Sequence, residues 1–176
     1  DKHATAVIDK LKNLDKVRLL EWRDDTFHVH KGGKLSVSAK GRLETSDELA
    51  RAYTPGVARV CNAIKDNREN LFQYTIKANT VAVITDGSAV LGLGNIGPEA
   101  ALPVMEGKAV LFKKFADLDC FDIELKCDSN QHFIDCVRAM EPTFGGINLE
   151  DIAAPRCFEI EKRLQEELDI PVMHDD

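Results

Sequence analysis

The hydrophobic pattern of this chain changes period near residue 80. Upstream, Ala6, Val7, Leu11, Leu14, Val17 and Leu20 recur near helical spacing and predict an amphipathic helix over residues 4–20, with Asp9, Lys10, Lys12, Asp15 and Lys16 on its charged face. TFHVHKGGKLSVS then carries two short alternating runs around Gly32 and Gly33, which predicts a small hairpin with His28 and His30 on one strand face. Ser46 is expected to cap a helix that continues through Glu48, Leu49 and Ala50. That helix is broken near Pro55 and Gly56, beside Tyr53, before VARVCNAIKDN resumes.

Downstream the segments shorten. TVAVITDG, KAVLFKKFAD, FDIELKC and GGINLED read as β-rich pieces separated by helical stretches at 97–107 and 129–140. PRCFEIEKRLQEEL, over 155–168, predicts a last amphipathic helix with Pro155 in its first turn, and IPVMHDD begins another strand. This alternation predicts a three-layer α/β/α domain with a mainly parallel sheet. An α-helical N-terminal appendage with its hairpin occupies residues 1–44, and the α/β domain residues 45–176.

Composition narrows the function classes. With 176 residues and 44% hydrophobic positions, the chain suffices for one core plus an appendage. Thirty acidic against twenty-three basic side chains, net −7, argue against a nucleic-acid partner, because phosphate binding rests on clustered Lys and Arg. No stretch approaches the roughly 20 apolar residues of a membrane span, and DKHATAV lacks a signal pattern, so a cytoplasmic location is expected. The start without Met and the end at HDD read as a fragment. Cys61, Cys120, Cys127, Cys136 and Cys157 are odd in number and form no C-x-x-C pair, so neither a disulfide framework nor a zinc site is suggested; reduced, mostly buried thiols are expected.

GLGNIG, Gly92 to Gly97, spells the glycine pattern of a dinucleotide-binding turn, with Asp117 and Asp119 in place for the ribose hydroxyls. The preceding strand, however, is interrupted at Asp86-Gly87-Ser88, and Pro98 and Glu99 open the following helix, where an acidic side chain does not favour a pyrophosphate. About 80 residues remain after Gly97, too few for both halves of a nucleotide domain. A close backbone approach to substrate is the better reading, and no cofactor-binding residues are assigned. Asp117, Asp119, Asp122 and Glu124 read as a solvated turn.

AYTPGVARV, VAVITDGSAVLGLGNIG, PVMEGKAVLFKKFADLDCFDIEL, GGINLEDIAAPRCFEIEKRL and IPVMHDD, in this order, resemble the malic enzymes, in particular the shorter bacterial-type ones. The likeness covers roughly residues 45–176 and corresponds to the N-terminal, malate-binding portion. It implies oxidation of L-malate by NAD or NADP, decarboxylation to pyruvate with Mg2+ or Mn2+, and a homodimer. It also implies roles: Tyr53 of YTPGV as the acid that protonates the enol of pyruvate, and Lys108 of MEGKAV as the general base. Glu150 and Asp151 of NLEDIAAP, with Asp176, would be the carboxylate ligands of the metal, an all-oxygen set suited to Mg2+ or Mn2+. As a base Lys108 is expected to have its pKa depressed by burial or a neighbouring cation. Asp175 is a candidate supporting partner, and His174 receives no catalytic role.

The pattern also departs from the larger eukaryotic enzymes, which place an arginine where this chain has Ala89, so Asn95 or backbone N–H groups are expected to serve a malate carboxylate instead. The family's nucleotide domain would follow Asp176, so the chain alone is expected not to transfer hydride. A malolactic outcome, releasing lactate, and a non-catalytic dicarboxylate-binding module are the alternatives. The choice between NAD and NADP is open.

Overall fold

The computed structural model describes residues 2–175, and its contacts divide into two compact units meeting at Gly32–Gly33. The first holds α1 (Lys2–Lys12) and α2 (Asp25–His30). The predicted hairpin is not formed: KLSVS is not strand, and on the other arm Asp24 accepts from the backbone of Thr26 at 2.9 Å and Phe27 at 3.3 Å, a cap that turns DTFHVH into a helix. Local capping outweighs a two-residue alternation too short to decide. α1 also stops at Lys12, where a helix to residue 20 was expected.

The second unit begins with α3 (Ser46–Ala52), α4 (Val57–Asp66) and α5 (Asn70–Tyr74), then a 3-10 turn at Ile76–Asn79. Thr45, not Ser46, caps α3, in a reciprocal box: Glu48 N donates to Thr45 Oγ1 at 3.2 Å and Thr45 N to Glu48 Oε2 at 3.0 Å. The break at Pro55-Gly56 falls between α3 and α4, as the sequence predicts.

The α/β layer follows as β1 (Thr80–Thr85), α6 (Pro98–Ala116), β2 (Asp119–Glu124), α7 (Asn130–Met140), β3 (Gly146–Leu149), α8 (Arg156–Glu167) and β4 (Val172–His174). The four strands are all parallel, in the order β2-β1-β3-β4. Right-handed crossovers from β1 leftward to β2, then rightward to β3 and β4, require helices on both faces. α6 covers one face, and α7 and α8 pack together on the other. Ala82, Ile84, Ile147 and Leu149 point to the α7/α8 side, where Phe133, Ile134, Val137, Ile160 and Leu164 bury them. The three-layer α/β/α reading therefore holds.

KAVLFKKFAD is helix, not strand. Ala101, Met105 and Ala109, fully buried at successive i+4 positions, carry the helical period straight through Gly107 and Lys108, and α6 ends only where Asp117 takes the left-handed conformation at φ 54°. The expected solvated turn at 117–124 is likewise largely strand β2, with Asp122 and Glu124 half-buried.

Candidate active site

The strand order places a topological switch point between β1 and β3, whose onward connections leave to opposite faces of the sheet. Loops diverge there at the carboxyl ends of the strands, the place where open α/β sheets form their ligand crevice. The turns that line it are stitched to one another. Glu150 N donates to Ile84 O at 2.9 Å, Ala89 N to Asp151 O at 2.9 Å, and Ala153 N to Ser88 Oγ at 2.8 Å. Asp86 accepts from Ser88 N at 3.0 Å and holds Arg156 Nη1 at 2.6 Å, while Arg156 Nε donates to Asn130 Oδ1 at 2.8 Å. One guanidinium thus ties the end of β1 to α7 and α8.

The GLGNIG loop folds back over the end of β1 rather than extending it. Ile96 N and Gly97 N both donate to Gly87 O, at 3.1 and 3.2 Å, and Gly87 itself has φ 66°. A Cβ on Gly87 would lie 2.2 Å from Gly97 O, so only glycine admits this approach.

At the far side of the crevice three charged groups meet. Lys108 of α6 places Nζ 2.5 Å from Glu150 Oε1 and also pairs with Asp175, just beyond β4. Asn148 and Glu150, two residues apart, share the α6 side of β3, and Asn148 Nδ2 donates to Glu150 Oε1 at 3.0 Å. Asn148 Oδ1 is buried without a partner.

The protonation states follow from this geometry. Burial alone would push Lys108 down, but the hydrogen bonds and charges of Asp175 and Glu150 outweigh it and hold the ammonium above the ordinary lysine value. The expected depression is therefore not found in this arrangement. Burial raises Glu150 to about 7 against the opposing pull of Lys108, and its hydrogen bond with Asp175 adds to the rise. Burial also works against ionisation of Asp175, yet the bonds from Lys108 and Glu150 leave its pKa below the usual carboxylate value. Near neutral pH the site is an Asp175–Lys108 ion pair with a titrating Glu150 beside it.

Of the residues singled out from sequence, Lys108 and Glu150 are brought into contact. Asp151 is buried in the next position, at φ 51°, so the chain turns just past β3 instead of continuing the strand alternation that would send the two side chains to opposite faces. Asp176 lies outside the described residues. Tyr53 is two-thirds exposed at the end of α3, and among the described residues it shares no hydrogen bond with Lys108, Glu150 or Asp175. His174 braces the site from behind, its Nε2 3.1 Å from Glu161 Oε2 and its ring against Phe158 at 5.5 Å. Asn148 and Arg156 carry no motif that marks them: Asn148 meets Glu150 through the register of the strand end, and Arg156 reaches Asp86, 70 residues away in sequence, only once the sheet has formed. Glu150 and Asp151 are buried carboxylates, the donor type that suits a hard divalent cation, although Glu150 Oε1 is engaged here by Lys108 and Asn148.

The family model for the malic enzyme N-terminal domain matches residues 32–132 and 128–165. The chain belongs to the malic enzyme family. It is 57% identical over 175 residues to the NAD-dependent malic enzyme of Geobacillus stearothermophilus, covering 99% of this chain and 37% of that protein. It is 55% identical over 156 residues to the bifunctional malic/malolactic enzyme of Bacillus subtilis, covering 88% and 38%. The crystal structure of the NAD-dependent malic enzyme of Thermotoga maritima superposes with a TM-score of 0.84 at 52% identity, over 87% of this chain and 44% of the other. The chain thus spans well under half the length of these malic enzymes, and the matched part contains the whole Lys108–Glu150 region.

Proposed function

We propose that this chain is the substrate- and metal-binding part of an NAD(P)-dependent enzyme that converts L-malate to pyruvate and CO2. The observation that carries the reading is the Lys108 ammonium held between two carboxylates at the switch-point crevice, in a chain of the malic enzyme family. Glu150, Asp151 and Asp176 would hold Mg2+ or Mn2+, and the bound cation supplies Lewis acidity toward the hydroxyl and carboxyl oxygens of malate. Lys108 is the proton-handling group. Its Nζ sits beside one carboxylate that stays ionised and one that titrates near pH 7, so the cluster can take up and return a proton near neutral pH. Tyr53 is assigned as the acid that returns a proton to the enol carbon, and the glycine loop as the backbone wall of the substrate crevice. The nicotinamide cofactor is NAD or NADP, held by residues other than those assigned here. A homodimer and a cytoplasmic setting complete the proposal.

The test has two arms. Calorimetric titration of the chain with L-malate should show binding that requires Mn2+ and is lost in Glu150→Gln, without cofactor reduction. A protein joining these residues to a dinucleotide-binding domain should form reduced cofactor and pyruvate in equal amounts. Absence of both malate binding and turnover sinks the proposal. Lactate without net reduced cofactor would support a second reading, the malolactic reaction, which the name of the Bacillus subtilis relative brings in.

A further inference from the structure

The five cysteines are free, but only Cys157 is buried where mostly buried thiols were expected, and three of them, Cys61, Cys120 and Cys157, stand apart from the cluster formed by the other two. Cys127 lies in the loop after β2, and Cys136 one turn past His132 on α7. The i, i+4 spacing puts His132 and Cys136 on one helix face, and the Ser129 cap, accepting from His132 N at 3.1 Å, fixes where the loop enters that helix. The ligand atoms of Cys127, His132 and Cys136 all lie within 4.8 Å of one another, the one such group of three among the described residues. We propose that Cys127, His132 and Cys136 form a second metal site, distinct from the carboxylate crevice, that takes a zinc-class ion through two thiolates and an imidazole.

Donor chemistry separates this site from the first. Two sulfurs and one nitrogen suit a borderline ion such as Zn2+, whereas Glu150 and Asp151 offer only hard oxygens. A tetrahedral Zn2+ needs donors about 3.5–3.8 Å apart, so side-chain rotation by roughly 1 Å closes the set. His132 is exposed, and the rotation gives up only the long 3.5 Å bond that its Nδ1 accepts from Asp128 N; water completes the fourth position.

The same surroundings disfavour a redox pair. A reactive cysteine needs a stabilised thiolate, at a helix N-terminus or beside a cation. Cys127 has the opposite setting: burial, then Cys136, Asp86 and Asp128, push its thiol up to about 11. Negative neighbours that oppose a bare thiolate attract a cation, and a cation removes the opposition by displacing both thiol protons. The bound ion would pin the start of α7, whose Asn130 holds Arg156 and through it Asp86.

The reduced, metal-free chain titrated with Zn2+ against a competing chelator should bind one equivalent at this site and release two protons. With Co2+ it should develop the ultraviolet thiolate-to-cobalt charge-transfer band, which a carboxylate site cannot produce. Cys136→Ser should abolish the band. His132→Ala, which leaves the core untouched, should weaken Zn2+ binding by at least the about 10–100-fold that loss of a supporting partner alone costs, while Cys61→Ser changes neither reading. The site is overturned by absence of the band in the parent chain, by unchanged Zn2+ affinity in His132→Ala, or by a Cys127–Cys136 disulfide forming in air in a chain that takes up no metal.

Discussion

Lys108 Nζ sits 2.5 Å from Glu150 Oε1 and pairs on its other side with Asp175, so one ammonium from α6 joins carboxylates from the ends of two neighbouring strands. Removing it leaves two acids facing each other across a partly buried gap. Lys108→Ala should lose about 2–3 kcal/mol, below the full cost of a deeply buried broken pair because water reaches Asp175. The sign with pH follows from the shifts. Lys108 is raised when folded, so its contribution is complete below the unfolded lysine value and fades as pH climbs through the folded one. Asp175 is lowered, so its share is present above the unfolded value and fades as acid titrates the folded group. Urea unfolding of parent and variant in acid, at pH 7 and above pH 10 follows both shares, and equal stability at pH 7 would refute the clamp.

Glu124 gives a pH dependence opposite in sense to that of Asp175. Burial and the nearby charge of Asp122 raise it to about 7, and its Oε1 is buried without a partner, so the folded state prefers the protonated acid. Between the unfolded value of 4.5 and about 7 the native chain holds a proton that the unfolded chain has released, and stability falls as pH rises through that window. Glu124→Gln should match the parent at pH 4 and exceed it at pH 8. A variant no more stable at pH 8 contradicts the assignment.

Gly87→Ala introduces a methyl group 2.2 Å from Gly97 O at a residue with φ 66°. Left-handed strain and overpacking together should cost about 2–4 kcal/mol. For a domain of this size that lowers Tm by roughly 5–15 °C in a calorimetric scan. Gly92→Ala, where no atom lies near the added Cβ, should suffer only the backbone strain.

Tyr53→Phe removes one exposed hydroxyl, and stability should stay within about 0.5 kcal/mol of the parent. If Tyr53 is the acid proposed here, turnover of malate in a protein carrying the nucleotide domain should fall by about 100-fold or more, with malate binding nearly unchanged. Unaltered turnover would remove Tyr53 from the mechanism.

The pattern of short apolar segments alternating with amphipathic helices was enough to specify the parallel sheet, since β1, β3 and α8 carry their burial in their own periodicity. KAVLFKKFAD misled because its apolar density suits a strand, and only the spacing from Ala101 to Ala109 reveals one unbroken helix. DTFHVH misled for a different reason: a single capping Asp24 decides between helix and strand in a segment with no buried residue. In the site, Lys108 and Glu150 were legible through the motifs around them. Asn148, Arg156 and the Cys127–His132–Cys136 group were not, although the helical i, i+4 pairing of His132 with Cys136 was a signal that the absence of C-x-x-C obscured.

Every charged group of the Lys108 cluster reaches it by a different crossover of the sheet. α6 follows the first strand, Glu150 the third and Asp175 the fourth, and 67 residues separate the lysine from its farther partner. No hairpin or single helical unit can preassemble such a cluster, so its loop-closure entropy is met only when the last parallel strand docks. The raised pKa of Glu150 is therefore a property of the assembled sheet and of no single segment, since burial is its largest cause and Asp175, just past the last strand, adds to it.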